Sequence, residues 1–268
     1  MKTLAVTMVL FAGGLSLSCS DATVKSAPPP VSSAGAPAPT PGATANSRFF
    51  LALLDTSVSY KDYDAALRGL AAARNHLRPG DRFALARINE RVDPKNFVIL
   101  TTSSDKLAAD LLVPPKTIAE WQDKNKRLAK AWGEVDNHHK IIAAALQKLQ
   151  GANTARRTDL HEAIRYAVRL LNDQAHEEKV LLVCSDLEHD TGRPTFKPPA
   201  TPLDVAKLRV KLLFVPGNTR HLTQLEMDWK NYLSRAKSVE VFDSGRSPAG
   251  VVIPVSKVPR THPMPSGN

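Results

Sequence analysis

The chain has 268 residues, with 36 Lys and Arg against 26 Asp and Glu and a formal net charge of +10. Its 43% hydrophobic, 23% charged and 6% aromatic residues exclude a disordered chain, a collagen-like chain and a polytopic membrane protein. The length is enough for one domain with a full core, while 20 prolines, unevenly spread, imply a folded middle with extended flanks.

Residues 1–18 read as an export signal. Lys2 supplies the positive start, and Leu4 to Ser18 is uncharged, largely apolar and too short to span a bilayer as a helix. The run Leu15-Ser16-Leu17-Ser18-Cys19 resembles a bacterial lipoprotein signal, with small Ser18 just before Cys19; it departs from that pattern at Ser16, three before the cysteine, where leucine is usual. The resemblance implies a lipid on Cys19 and a place at the cell envelope, on its periplasmic or extracellular face; the alternative is an ordinary secretory signal. With Cys19 lipidated, only Cys184 remains of the two cysteines, so no internal disulfide forms. Cys184 ends the apolar run Val180-Leu181-Leu182-Val183-Cys184 and reads as a buried, inert thiol.

Residues 19–47 follow as an anchor and tether. No charge occurs from Ser26 to Ser47, and 28–41 hold six prolines among small residues. Such a segment lacks the apolar bulk to pack and stays extended. A domain is predicted over 48–245 and a Pro-rich tail over 246–268.

Within the domain, Phe49 to Leu54 is a continuous apolar run, the mark of a strand buried on both faces. Tyr63, Leu67, Leu70 and Leu77 have helical spacing before a turn at Pro79-Gly80-Asp81. Strands are predicted at 83–88 and 97–101. A long helical region over 118–150 reads as two helices or one broken near Gly133. Leu160, Ala163, Ile164, Ala167, Val168 and Leu171 mark an amphipathic helix over 158–172. Further strands are predicted at 180–184 and 210–215, with a weaker one at 239–242 and a helix through Leu225, Trp229 and Leu233 before it. Strands alternating with helices predict an α/β fold, doubly wound around a mainly parallel sheet.

In such a sheet, ligands bind beyond the carboxyl ends of the strands. The first strand ends in Asp55-Thr56-Ser57-Val58-Ser59, where alternate residues in extended chain put Asp55, Ser57 and Ser59 on one side. A carboxylate and two hydroxyls are hard oxygen donors, suited to Mg²⁺ or Mn²⁺ and not to zinc or copper. A capped turn explains the same residues without a metal. Thr158 at the start of a helix and Asp186 after a buried strand belong to the same sheet edge.

Together, Asp55, Ser57, Ser59, Thr158 and Asp186 resemble the metal-ion-dependent adhesion site of a von Willebrand factor type A domain. The stretch Leu77-Arg78-Pro79-Gly80-Asp81-Arg82-Phe83-Ala84-Leu85 is similar to the family's passage from first helix to second strand, and the resemblance spans roughly 48–245. It implies a bound Mg²⁺, or Mn²⁺ or Ca²⁺ in its place, ligated by Ser57, Ser59 and Thr158, with Asp55 and Asp186 acting through water or by orienting the hydroxyls. It also implies a partner protein that offers an acidic side chain to the metal, which is binding and not catalysis. Two departures stand out: Leu187 follows Asp186 where glycine is common, and Arg156 and Arg157 precede Thr158 where glycines are common.

Three other readings compete. The same fold with a non-functional metal site would act as a scaffold through its surface or the 115–152 helices. Asp55, together with Ser185-Asp186-Leu187-Glu188-His189-Asp190, resembles haloacid-dehalogenase phosphohydrolases, but their second acid stands two residues on, where this chain has Ser57. The positive charge fits anionic lipid or cell-wall polymer better than nucleic acid, for which no base-stacking aromatic motif accompanies it. His138, His139, His161, His176 and His189 lack ligand spacing. Trp121, Leu128, Trp132 and Val135 form a helical stripe that reads as core, beside cations that read as a solvated face.

Overall fold

The computed structural model describes residues 47–188, 203–216, 220–246, 249–255 and 257–265. Cys19, the uncharged segment before Ser47, and His189 and Asp190 lie outside the described residues. Six strands form one sheet: β1 (Arg48–Asp55), β2 (Arg82–Ile88), β3 (Val98–Ser103), β4 (Glu178–Cys184), β5 (Leu208–Val215) and β6 (Ser238–Asp243). Their order is β3-β2-β1-β4-β5-β6, with β2 and β3 antiparallel and every other pair parallel. The chain winds outward from β1 first to one side and then to the other, so the topological switch lies between β1 and β4. This is the doubly wound, mainly parallel sheet that the alternation of elements predicts.

β1 shows why two layers of helix are needed. All eight of its residues are buried. Phe49, Leu51 and Leu53 pack with Leu160, Ile164 and Leu171 of α3 (Leu160–Asn172) and with Trp229 of α4 (Arg220–Tyr232). Phe50, Ala52 and Leu54 face α1 (Tyr63–Ala73) and the last turns of α2 (Ile118–Lys148), meeting Tyr63, Leu70, Ile142 and Leu146. Each buried leucine contributes about 1.5–3 kcal/mol, and the strict alternation of β1 shares that gain between both faces.

α2 is one helix of 31 residues and runs unbroken through Gly133. The glycine lies on the solvent side, where an added Cβ would meet nothing within 4 Å. Leu128, Trp132 and Val135 are buried on either side of it and hold the backbone in register. Packing outweighs the roughly 1 kcal/mol preference against an interior glycine. α3 starts later than its apolar pattern implies. Its cap is Asp159, whose carboxylate accepts from Glu162 N at 3.0 Å, and this leaves Thr158 in the preceding loop.

Beyond β6, the described residues lie against the body. α5 (Ala249–Val252) and Ile253 join the α1 side of the core. Residues 257–265, irregular in backbone, are strapped along α2. Trp132 Nε1 donates to Pro259 O at 3.0 Å and Trp121 Nε1 to His262 O at 2.9 Å. Asn125 pairs with both backbone groups of His262, and the Arg260 guanidinium stacks 4.2 Å from the Trp132 ring while forking onto Asp136. The aromatic stripe of α2 is thus covered in part by the chain's own later residues.

At the amino end of β1, Arg48 donates to both carboxylate oxygens of Asp81, at 3.0 and 2.6 Å, with both side chains buried. Asp81 also accepts from Arg78 N, and Arg48 reaches the carbonyls of His76 and Pro254. Asp81→Ala should therefore cost about 3 kcal/mol, because Arg48 is left buried without its counter-charge. Gly133→Ala should stabilise by about 0.5–1 kcal/mol. Shifts of the urea midpoint in opposite directions check the two.

Candidate metal centre

Three loops meet at the carboxyl edge of the sheet. The first leaves β1 at Asp55, which is fully buried. Ser57 N folds back to donate to Asp55 Oδ1 at 2.9 Å, the short-range turn that aspartate favours. Thr56 Oγ1 pairs with Ile88 O at 2.9 Å and Asn89 Oδ1 at 2.6 Å, which ties this loop to the end of β2. The second loop, which carries Thr158, is stitched to the first by a parallel bridge between Ser57 and Ala155. Val58 N donates to Ala155 O at 2.9 Å, and Ala155 N to Thr56 O at 3.0 Å. The third loop follows β4 and carries Ser185 and Asp186.

The five residues singled out in the sequence fall in these loops, and the structure brings them together to different degrees. Thr158 Oγ1 lies 3.5 Å from Asp55 Oδ1, and Ser59 Oγ donates to Ser57 Oγ at 3.1 Å. Asp55, Ser57 and Thr158 are buried and Ser59 is exposed. Asp186 is buried without a direct bond to the others; its Oδ1 accepts from Glu188 N at 3.1 Å. Sequence reasoning missed Ser185. It is fully buried, donates to Asp55 Oδ2 at 2.7 Å and accepts from Leu187 N at 3.0 Å. Its position directly after β4 and before Asp186 was the available signal.

Burial pushes the Asp55 carboxyl above the usual carboxylate range, against the pull of its hydrogen bonds from Ser57, Ser185 and Thr158. Asp186 is pushed up to about 7, first by burial and then by the charge of Asp55. Among the described residues, no Lys or Arg pairs with either carboxylate. Two desolvated acids with no counter-charge and three hydroxyl oxygens form an all-oxygen donor set. Such a set suits a hard divalent cation.

Backbone strain accompanies the site. Leu187 has φ 68° and Phe214 φ 56°, a region in which side chains are disfavoured. Leu187 thus occupies the conformation that glycine would take without cost. Its side chain is fully buried and its carbonyl accepts from Trp229 Nε1 at 3.0 Å. Phe214, near the end of β5, likewise has its carbonyl held, by the buried Tyr60 hydroxyl at 3.2 Å. Packing over-determines both positions, the condition under which strain persists. Elsewhere, His161 Nε2 pairs with the Tyr232 hydroxyl at 2.6 Å and His176 packs on the Phe49 ring.

No protein-family model and no curated protein matches the sequence. Among solved structures, the chain is similar to the D319A mutant of the PilB minor pilin from Streptococcus sanguinis, at 10% identity and TM-score 0.47 over 78% of this chain and 60% of that one. It is similar to the ArnB paralog VWA2 from Sulfolobus acidocaldarius at 12% identity and TM-score 0.46, over 80% and 46%. A von Willebrand factor type A structure from Catenulispora acidiphila gives 15% identity and TM-score 0.44, over 78% and 42%. The chain therefore spans less than two thirds of each of these three structures. These are likenesses of fold; the doubly wound assignment rests on strand order and on the two buried faces of the sheet.

A carboxyl near 7 in the fold and near 3.8 in the unfolded chain holds its proton more tightly when folded. Its contribution is fully present below about 4 and is lost as pH rises towards 7. In chelator, the wild type should lose more stability between pH 4 and 7.5 than Asp186→Asn does, with an upper bound of about 4 kcal/mol on the difference. Thermal melts of both proteins across that range read the difference.

Proposed function

We propose that the chain is an envelope-anchored lipoprotein whose folded domain binds a partner protein through a divalent cation. The observation that carries this reading is the pair Asp55 and Asp186, two buried carboxylates at one loop cluster with no counter-charge among the described residues. Ser57, Ser59 and Thr158 would ligate Mg²⁺, or Mn²⁺ or Ca²⁺ in its place. Asp55 accepts hydrogen bonds at both oxygens and so orients the hydroxyl-bearing loops, while Asp186 adds negative charge beside them. When bound, the cation offers a coordination position to an acidic side chain of the partner.

Binding is favoured over turnover by what stands two residues after Asp55. An aspartate nucleophile of the phosphohydrolase kind needs an acid there to move the proton. In this chain the position is Ser57, whose hydroxyl accepts from Ser59. Asp55 is also fully buried, with both of its oxygens engaged.

Calorimetric titration with Mn²⁺ and Mg²⁺ should give saturable binding to the wild type and an upward thermal shift. Asp55→Asn, which keeps the side chain's shape, should weaken the affinity by at least about tenfold, as loss of a charged group at a metal site does. Identical behaviour of the two proteins would leave the fold acting as a scaffold without metal. For the anchor, labelled palmitate should enter the wild type in cells and not Cys19→Ala; equal labelling removes that part of the reading.

A further inference from the structure

The loop that brings Thr158 to the site also brings two arginines. Ala155 is bridged to Ser57, so Arg156 follows the bridged residue and Arg157 directly precedes Thr158. Neighbouring Cα atoms are about 3.8 Å apart. Arg157 is therefore rooted directly beside the donor Thr158, and Arg156 two residues from it and next to the residue bridged to Ser57. Both are exposed.

Neither guanidinium forms an ion pair among the described residues. Arg127, Arg165, Arg209, Arg246 and Arg260 all do so within the chain. The neighbouring acid, Glu90, is engaged by the Arg156 backbone instead, which donates to its Oε1 at 3.3 Å. Val58, between Ser57 and Ser59, is 62% exposed and adds an apolar spot to the same rim.

A pair of positive charges beside a cation site works against the cation. The same pair becomes favourable once a ligand brings more negative charge than the cation takes up. Guanidinium groups meet carboxylates in paired, directional hydrogen bonds, which a lone metal contact does not supply. We propose that Arg156 and Arg157 form a second anchor point for the partner, so that the surface reads a protein segment with two acidic side chains. One acid addresses the cation, the other the arginines, and an apolar side chain between them rests on Val58. This inference rests on the metal reading above.

The test uses the full chain, Mn²⁺, and two capped peptides, Gly-Ser-Glu-Leu-Asp-Ser-Gly and Gly-Ser-Gln-Leu-Asp-Ser-Gly. Mn²⁺ alone is titrated first into wild type, Arg156→Gln/Arg157→Gln and Asp55→Asn. The double arginine variant should bind Mn²⁺ as well as wild type or a few-fold better, since two repelling charges are gone. With Mn²⁺ saturating, the wild type should prefer the two-acid peptide by about tenfold, the size of a charge-assisted contact. The double variant should lose that preference, and Arg156→Lys/Arg157→Lys should keep part of it. Equal affinity of wild type for the two peptides, or no binding of either with Mn²⁺ bound, overturns the arginine role and leaves the metal site standing. If wild type takes up no Mn²⁺, the metal reading fails and this inference fails with it.

Discussion

The carboxyl edge of the sheet is organised around one desolvated carboxylate. Asp55 ends a strand that is buried on both faces, so its side chain has no water to turn to. It takes a backbone N–H from its own loop and hydroxyls from the loops of Thr158 and Ser185. Those bonds fix where three loops lie. They do not neutralise the charge, because hydrogen-bond donors without net charge recover only part of the cost of burying an anion. Burial first, and then that unmet charge, raise the Asp186 carboxyl.

The opposite end of the same strand shows the alternative solution. Asp81 is as well buried as Asp55, yet Arg48 covers both of its oxygens and the pair is complete within the chain. One buried aspartate is closed by a cation of the fold itself; among the described residues the other meets polar groups alone. The contrast separates a closed structural ion pair from a carboxylate whose charge the described residues leave unmatched.

Much of this was legible in the sequence because the sheet is parallel and central. Strands buried on both faces read as apolar runs, and β1 and β4 were visible for that reason, as was β5 despite the interruption at Lys211. The continuity of α2 was not, because Gly133 reads as a break unless the packing of Leu128, Trp132 and Val135 is known. Thr158 stood out as the start of α3, whereas Asp159 supplies the cap and frees Thr158 to reach Asp55. Ser185 was marked only by its place between β4 and Asp186, since one hydroxyl there adds nothing to a spacing. The strap over α2 was hidden most deeply. Its contacts join indole N–H groups to backbone carbonyls more than a hundred residues away, and carbonyls carry no sequence signature.

The course of β1 has a mechanical consequence. The chain enters it at Arg48 and leaves it at the candidate site, about 25 Å away at roughly 3.3 Å per residue. A tension applied between the upstream residues and anything held at Asp55 therefore runs along the strand. β1 is registered in parallel over seven residue pairs with β2 and over seven with β4. A strand already extended bears such a load along its own covalent backbone, and β2 and β4 support it from the sides without being pulled past it. A pull that ends on Asp55 therefore leaves both ladders unsheared, whereas one that ends on the loops of Thr158 or Asp186 would load the sheet between strands.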